Sequence, residues 1–375
     1  MTQPLNHQYW MAQALRLARN GLYSTHPNPR VGCVVINDEK LVAQGWHEFA
    51  GGPHAEIRAI QSARVPVGSD FYVTLEPCSH QGRTPPCVDE LIKLRPRCVI
   101  IAMQDPNPAV AGAGVASLEA AGIEVVQGVL ETESRALNPG FILRMESGRP
   151  FVRLKMAISL DGRTALKNGT SLWISGEAAR KDVQLLRARC SAILTSASTV
   201  IEDDPSLNLR LTKRDLGQVI EVRHPVRVIV DAQLRLCGRE NIFQTSGEIW
   251  IYTLNSKPMD IERLLAAGAR VEVFKDDADG HINLPALMCH LAQREINEIH
   301  TECGQNLAGA LLQERLVDEM IIYMAPKLMG SQSRGAFDLG EITHMSDSVH
   351  CSIEQMRKIG DDMRLTLSLK SEVNA

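Results

Sequence analysis

Residues 53–60, PHAEIRAI, and residues 74–91, TLEPCSHQGRTPPCVDEL, bring together one histidine, one glutamate and two cysteines with prolines beside them. His54 follows Pro53 and shares with Glu56 the first turn of a predicted helix, HAEIRAIQSAR. Cys78 comes just after a predicted buried strand, FYVTL, and Cys87 follows Pro85-Pro86 and opens the next helix, CVDELIKL. Two helix starts and one strand end therefore carry an imidazole and two sulfurs toward one place. At helix starts, unpaired backbone N–H groups and the helix dipole favour thiolate over thiol.

Ligands of type His, Cys, Cys suit Zn²⁺, and three of them rather than four leave a position open for water. Zinc makes hydroxide available near neutral pH, and a carboxylate that is not a ligand can carry the proton to a leaving group. Glu56 has the position for that task. The layout is the known signature of zinc deaminases, H-x-E followed by P-C-x-x-C with glutamate as acid/base. It departs in one place, because eight residues rather than two separate Cys78 from Cys87. His80, inside that insert, competes as a ligand. Spacing alone leaves open a catalytic zinc, a closed structural zinc using His80, or a core cysteine pair with a capping histidine. Glu56 favours the first, since a structural site has no need of it.

Around this motif the sequence alternates strands and helices. NHQYWMAQALRLARNG (6–21) is an amphipathic opening helix that stops at Gly21, and VGCVVI and KLVAQGWHEF form a hairpin over the polar turn NDE. CVIIAM is a further strand, DPNPAVAGAG (105–114) a loop, and VASLEAAGIEVVQGVL one more helix and strand. This rhythm predicts a layered α/β domain. AGAGVAS lacks the third glycine and the acidic residue of a dinucleotide turn, and is read as none. Pro139-Gly140 and Gly148-Arg149-Pro150 are breaker clusters flanking a short apolar segment, so the domain boundary is placed after residue 147. Beyond it FVRLKMAIS, SAILTSAS, VRVIVDA, EIWIYT and NEIHTECG read as strands, with VQLLRAR and LAGALLQERL as helices. A second α/β domain follows, its ligands expected outside the carboxyl ends of its strands.

A length of 375 residues suits two domains. Forty basic against forty-four acidic side chains give a net charge of −4, which argues against a nucleic-acid-wrapping protein. No apolar run is long enough to span a membrane, and MTQPLNHQYW lacks a signal-peptide layout, so the expectation is a cytoplasmic protein with no membrane partner. Seven of the nine cysteines are scattered without pattern and read as small buried apolar residues.

THPNPRVGCVV, GGPHAEIRAI, VTLEPCSHQGRTPPC, MQDPNP and GAGVASLEAAGIEV resemble the deaminase half of the bifunctional riboflavin-biosynthesis deaminase/reductases, where the long insert between the cysteines is usual. LKMAISLDGRTA, WISGEAARKDVQLLRA, ILTSASTVIEDDPSLNLR, VIVDAQLRL and ECGQNLAGALLQERLVDEMIIYMAPKLMG resemble the reductase half, in the same order. The resemblance implies a cytidine-deaminase-like α/β/α domain over 1–147 and a dihydrofolate-reductase-like α/β domain over 148–375. It implies deamination of a pyrimidine ribotide and then NADPH-dependent reduction of its ribose, by a homo-oligomer acting on small molecules. His54, Cys78 and Cys87 are the implied zinc ligands, Glu56 the proton carrier, and Asn28 a residue holding the pyrimidine.

In FVRLKMAIS one face is apolar and the other partly polar, so Lys155 is either solvated or aimed at a ligand. The resemblance favours the ligand. It further implies Ser171, Arg187, Leu207, Arg210 and Glu302 on the substrate side, with Ala157, Trp173, Thr199, Asp203 and Ala232 on the cofactor side. An arginine fork suits a phosphate. In ECGQNLAGALL a strand ends at Glu302, a loop starts at Gly304 and a helix begins near Leu307, which makes an anion site for a cofactor phosphate. Gly304, Gln305, Asn306, Leu307, Ala308, Gly309 and Ala310 are thereby expected to line NADPH. The remaining alternatives are a deaminase acting on a nucleic-acid base and a zinc-stabilised binding module.

Overall fold

A computed structural model describes residues 6–80, 85–108, 110–171, 174–217, 222–274, 276 and 280–369. The chain divides into two compact units, one of residues 1–148 with 213–222, the other of 149–212 with 223–375.

The first unit runs α1 (His7–Ala18), β1 (Gly32–Asn37), β2 (Lys40–Trp46), α2 (Ala55–Ser62), β3 (Asp70–Val73), α3 (Cys87–Leu94) and β4 (Cys98–Ile101). It continues with α4 (Ala113–Ala120), β5 (Glu124–Gln127), α5 (Glu131–Leu137) and α6 (Pro139–Ser147). Its five strands lie in the order β2-β1-β3-β4-β5, with β1 antiparallel to both neighbours and the rest parallel. The β1–β2 hairpin closes over Asp38 and Glu39, both at positive φ, the geometry of a two-residue turn.

Helices cover both faces of this sheet, which is why β1 is a continuous apolar run. Val34 and Ile36 pack with Met11, Ala14 and Leu15 of α1, while Cys33 and Val35 pack with Ala55, Ala59, Val88 and Leu91 of α2 and α3. A Cβ on Gly32 would stand 2.0 Å from the Ala14 carbonyl oxygen, so α1 can lie against β1 only with glycine there. The breakers expected around Pro139 turn out to bound a helix, with Pro139 at its first position and Gly148, at φ 67°, as its cap. Proline is compatible with that first position because the missing N–H has no partner in the helix anyway.

The second unit runs β6 (Phe151–Ser159), β7 (Arg163–Ala165), α7 (Glu177–Arg189), β8 (Ala192–Ser196), α8 (Ala197–Asp203), β9 (Val226–Val230), β10 (Ile249–Thr253), α9 (Pro258–Ala266) and β11 (Arg270–Val273). It ends with α10 (Leu284–Gln293), β12 (Glu298–Glu302), α11 (Gln305–Gln313), β13 (Glu319–Ala325), β14 (Arg334–Gly335), β15 (Cys351–Ile359) and β16 (Asp362–Leu369). Nine strands form one sheet in the order β11-β10-β9-β8-β12-β6-β13-β16-β15, parallel up to β13 and antiparallel after it. The sequence reading assigns no element to the antiparallel end. β15 is largely exposed, so it lacks the apolar alternation that marks a strand.

Strand β6 carries out the division read from its sequence. Val152, Leu154 and Met156 enter the core with β8, β9, β12 and α11. Arg153 and Lys155 point the other way, where Arg153 is fully buried between Glu319 and Glu298, and Arg189 of α7 donates to Glu298 at 3.1 Å. Each buried charge there has an opposite partner, the condition under which charges are tolerated away from water.

Candidate active sites

In the first unit His54 is the N-cap residue of α2 and Cys87 is the first residue of α3. The Cys87 backbone N–H, one of the donors that a helix start leaves without a partner, lies 3.4 Å from Cys78 Sγ and donates to it. His54 Nδ1 stands 3.4 Å from Cys78 Sγ and 3.3 Å from Cys87 Sγ, and the three ligand atoms all fall within 4.8 Å of one another. A tetrahedral zinc, about 2.3 Å from sulfur and about 2.0 Å from nitrogen, needs ligand atoms roughly 3.5–3.8 Å apart. The donor set and its spacing fit zinc. His80 is exposed and stands outside the cluster.

The two sulfurs share their protons unequally. A hydrogen bond from the Cys87 thiol, helped by His54, pulls Cys78 well below the usual thiol range, whereas that same bond and burial push Cys87 up. A metal replaces these protons when it binds. Glu56, only 3 % exposed, lies against Cys87, and burial raises its carboxyl to about 7. A carboxyl poised there exchanges protons readily near neutral pH.

Asn28 is set by a residue that the sequence reading misses. Burial lowers His47 to about 4, so its ring is neutral, and its Nδ1 is 3.1 Å from the Pro53 carbonyl oxygen, which can only accept. Nε2 is then the acceptor, and the Asn28 amide nitrogen donates to it at 3.0 Å. That turns the Asn28 Oδ1 into the free hydrogen-bonding end of the side chain. Nothing in GWHEF marks His47 in advance, because its partners come from two other loops.

Glu76 fixes the loop beside Cys78 by accepting the N–H groups of Asp105, Gly112, Gly114 and Val115. The glycines of AGAG thus bind a carboxylate of their own chain, in keeping with the reading that they form no dinucleotide turn. Asp105, its carboxyl raised by burial to about 6, is held in the same loop.

The second unit contains a cavity of about 330 Å³ lined by the middle of β6, the carboxyl end of β12 and residues of α7 and α8. Lys155, Ala157, Ser171, Arg187, Thr199, Asp203, Leu207, Arg210, Glu302 and Gly304 all line it. Lys155 and Glu302 are register partners on neighbouring strands, with Nζ 4.0 Å from Oε2. Arg187 forks onto the same carboxylate, Nε to Oε1 at 2.5 Å and Nη2 to Oε2 at 2.9 Å. Against burial, which raises it, Arg187 and Lys155 hold the Glu302 carboxyl well below the usual range. Burial lowers Lys155 in turn, although Glu302 partly restores it.

On the other wall, Ser171 donates to Asp203 at 2.8 Å, and the Gly304 N–H donates to Thr199 Oγ1 at 3.1 Å. The helix expected near Leu307 starts two residues earlier, at Gln305, with Gly304 as its cap. Leu307 and Ala308 belong to the core, and Gly309 lies so close to the Asp338 backbone that a Cβ would meet its oxygen at 1.8 Å. Of the described residues in this stretch, Gly304 lines the cavity. Ala232 packs against the core just after β9 and is not a lining residue. Trp173 lies outside the described residues.

A basic residue near the cofactor-side positions also escapes the sequence reading. Arg235, in the loop after β9, donates to Ser198 Oγ at 2.8 Å and stands 3.9 Å from Asp231, and Ser198 adjoins Thr199. Its signal in the sequence, one arginine in VDAQLRL, has nothing to distinguish it from a solvated side chain.

Comparison with known proteins finds a family match for each half of the chain. The cytidine and deoxycytidylate deaminase zinc-binding region matches residues 4–103, and the RibD C-terminal domain matches residues 150–365. The riboflavin biosynthesis protein RibD of Escherichia coli is 44% identical over 97% of this chain and 99% of its own. That of Haemophilus influenzae is 44% identical over 96% of this chain and 97% of its own. Among solved structures, Acinetobacter baumannii RibD covers 97% of this chain and 99% of its own at 40% identity, with a TM-score of 0.90. A Thermotoga maritima protein described as a diaminohydroxyphosphoribosylaminopyrimidine deaminase/5-amino-6-(5-phosphoribosylamino)uracil reductase covers the same shares at 32% identity and a TM-score of 0.84. With a zinc-binding deaminase region and a reductase domain matched in order over nearly its whole length, the chain belongs to the family of bifunctional riboflavin-biosynthesis deaminase/reductases.

Proposed function

We propose that the first domain, residues 1–147, removes the 2-amino group of 2,5-diamino-6-ribosylamino-4(3H)-pyrimidinone 5′-phosphate. The second, residues 148–375, then reduces the ribosyl group of the product to ribityl with NADPH. One observation carries this reading: a buried carboxyl that is no part of the ligand cluster, Glu56, lies beside His54, Cys78 and Cys87. A structural metal site has no use for it. His54, Cys78 and Cys87 would hold zinc, which when bound supplies a water of lowered pKa. Glu56 takes the proton of the attacking water and passes it to the departing nitrogen, a transfer suited to a carboxyl near 7. Asn28 offers Oδ1 to an N–H of the pyrimidine, and His47 keeps it turned that way.

In the second domain Ala157, Thr199 and Gly304 would hold a nicotinamide cofactor, which would supply the hydride that reduces the anomeric carbon. As the bond from that carbon to the ring oxygen breaks, the oxygen needs a proton, and Lys155, made more acidic by burial, is the donor. Glu302 orients Lys155 and the ribose, Arg187 and Arg210 take the phosphate, and Leu207 closes the substrate side. Ser171 is oriented by Asp203. The N–H groups at the start of α11 suit the cofactor's pyrophosphate, and Thr199, Trp173 and Ala157 complete its side. The Arg235–Ser198 pair supports NADPH over NADH, since a guanidinium held by a hydroxyl is a ready partner for a 2′-phosphate. Cytoplasmic location and assembly into a homo-oligomer complete the reading, on the strength of the family resemblance.

The test is to incubate the protein with the diaminopyrimidinone ribotide, following ammonia with and without NADPH and the absorbance of NADPH. Ammonia release without NADPH, followed by NADPH oxidation that depends on deamination, is the expected result. Neither signal with the zinc-loaded protein overturns it. A deaminase acting on a base within RNA is disfavoured by the reductase domain that fills the rest of the chain.

A further inference from the structure

The cationic side chains that line the cavity of the second unit fall into separate groups. Among the described residues they are Lys155, Arg180, Arg187, Arg210 and Arg334. Arg180 and Arg187 sit on α7, and the Arg210 N–H donates to Gln184 Oε1 of the same helix at 2.8 Å. Lys155 stands beside Glu302. Arg334 comes from β14 and reaches α8 instead, where its Nη1 donates to Glu202 Oε2 at 2.7 Å.

That contact sets Arg334 among the groups read as cofactor-side. Glu202 follows Thr199 by three residues on α8, so the two occupy neighbouring positions on one helix face. Thr199 Oγ1 accepts the Gly304 N–H at 3.1 Å, and Gly304 caps α11. A run of contacts therefore leads from the guanidinium to the start of α11, whose N–H groups suit a pyrophosphate. Among the described residues, Glu202 engages one of the five N–H groups of the Arg334 side chain, so an anion can be taken with the ion pair intact.

The backbone that carries Arg334 is tied down on both sides. Asp161 accepts the N–H groups of Met329 at 3.0 Å and Gly330 at 2.7 Å, Arg163 donates to the Ser333 carbonyl at 3.3 Å, and Thr164 donates to the Gly335 carbonyl at 3.0 Å. The ion pair itself is open to solvent, with side chains 39% and 50% exposed, and such a pair contributes little stability. A guanidinium already held at the cavity wall loses little freedom on taking a ligand.

We propose that Arg334 is a further cofactor-binding residue, donating to a pyrophosphate oxygen of the nicotinamide cofactor. The inference rests on the reductase reading above, in which Arg187 and Arg210 take the substrate's phosphate. Each ligand then has its own cation, and neither displaces the other. NADH and NADPH share the pyrophosphate, so Arg334 serves both, unlike Arg235.

Calorimetric titration of the full-length protein with NADP⁺, NAD⁺ and ribose 5-phosphate tests this without turnover. Arg334→Gln should weaken both dinucleotides by about ten- to a hundredfold, the loss of one charged hydrogen bond, and leave ribose 5-phosphate unaffected. Arg334→Lys, which keeps the charge, should recover part of that loss. Glu202→Gln breaks the ion pair and spares the guanidinium, so both dinucleotides should bind at least as tightly as in the wild type. A mere latch between β14 and α8 predicts instead that Glu202→Gln and Arg334→Gln behave alike. That likeness, unchanged dinucleotide affinity in Arg334→Gln, a loss confined to NADP⁺, or an equal loss for ribose 5-phosphate overturns the proposal. Wild-type protein that binds neither dinucleotide would sink the cofactor reading and this inference with it, whereas wild-type binding that Arg334→Gln leaves intact sinks the inference alone.

Discussion

Glu56 and Glu302 are both carboxyls shut away from water, and their surroundings drive them in opposite directions. Around Glu56 burial dominates, with no arginine or lysine among the described residues offsetting it, and its pKa rises to about 7. Around Glu302 the Arg187 fork and Lys155 overcome the same effect and keep it ionised far into acid. One site has a carboxyl ready to move a proton, the other a fixed anion. The neighbours, rather than the depth, decide which of the two a buried glutamate becomes.

The largest break in this contrast should come from Glu56→Gln. It keeps the shape and removes the proton carrier, so ammonia release should fall by about 10²- to 10⁴-fold, the range for a lost general acid/base. Zinc content by atomic absorption should stay at the wild-type level, and reduction of the already deaminated ribotide should be unaffected. Near-normal deamination with zinc bound would remove Glu56 from the mechanism.

Arg187→Met attacks the other carboxyl. Leaving Glu302 without its fork should cost the second unit about 3 kcal/mol or more, the penalty for breaking a buried pair from one side. Urea unfolding measures it, and the double variant with Glu302→Gln should recover much of the loss. A single variant as stable as wild type would show that Lys155 alone suffices as counter-charge.

Acid sharpens the same point. The folded pKa of Glu302 lies below its unfolded value of about 4.3, so the pair contributes in full above that pH. As pH drops below it toward the folded value, the contribution should drain away by at most about 1.4 kcal/mol per unit. Urea midpoints between pH 6 and 3 for wild type and Arg187→Met should therefore converge at the acid end; parallel curves would contradict the assignment. The smallest effect is expected beside Ser198, where Arg235→Ala should raise KM for NADPH about tenfold, one charged hydrogen bond's worth, and leave that for NADH unchanged. An equal change for both cofactors would remove Arg235 from their discrimination.

The His54, Cys78 and Cys87 cluster was readable in advance because each of its members is anchored by something local. His54 and Cys87 sit at helix starts marked by Pro53 and Pro86, and Cys78 follows a run of buried residues that continues from β3. The cavity was less so. Lys155 and Glu302 stand out on their strands, but Arg187 on VQLLRAR is indistinguishable from a surface arginine until α7 is laid on the sheet. His47 and Arg235 acquire meaning only from partners on other elements. The fold follows the same rule: alternating β6 and the two-faced β1 declare themselves, while the hairpin of exposed β15 with β16 and the helix behind Pro139 are set by tertiary neighbours and a cap.

Strand β6 has a further consequence, for the order of events during synthesis. It lies between β12 and β13 in the sheet, and its residue Val152 pairs with Ile299, about 150 residues later. At about 5–20 residues per second a ribosome needs roughly 7–30 s to cover that distance. The first unit's sheet closes with β5, long before then. The newly made chain thus carries a sheet already completed ahead of an apolar strand still without neighbours. That waiting strand is the segment most in need of protection from other chains.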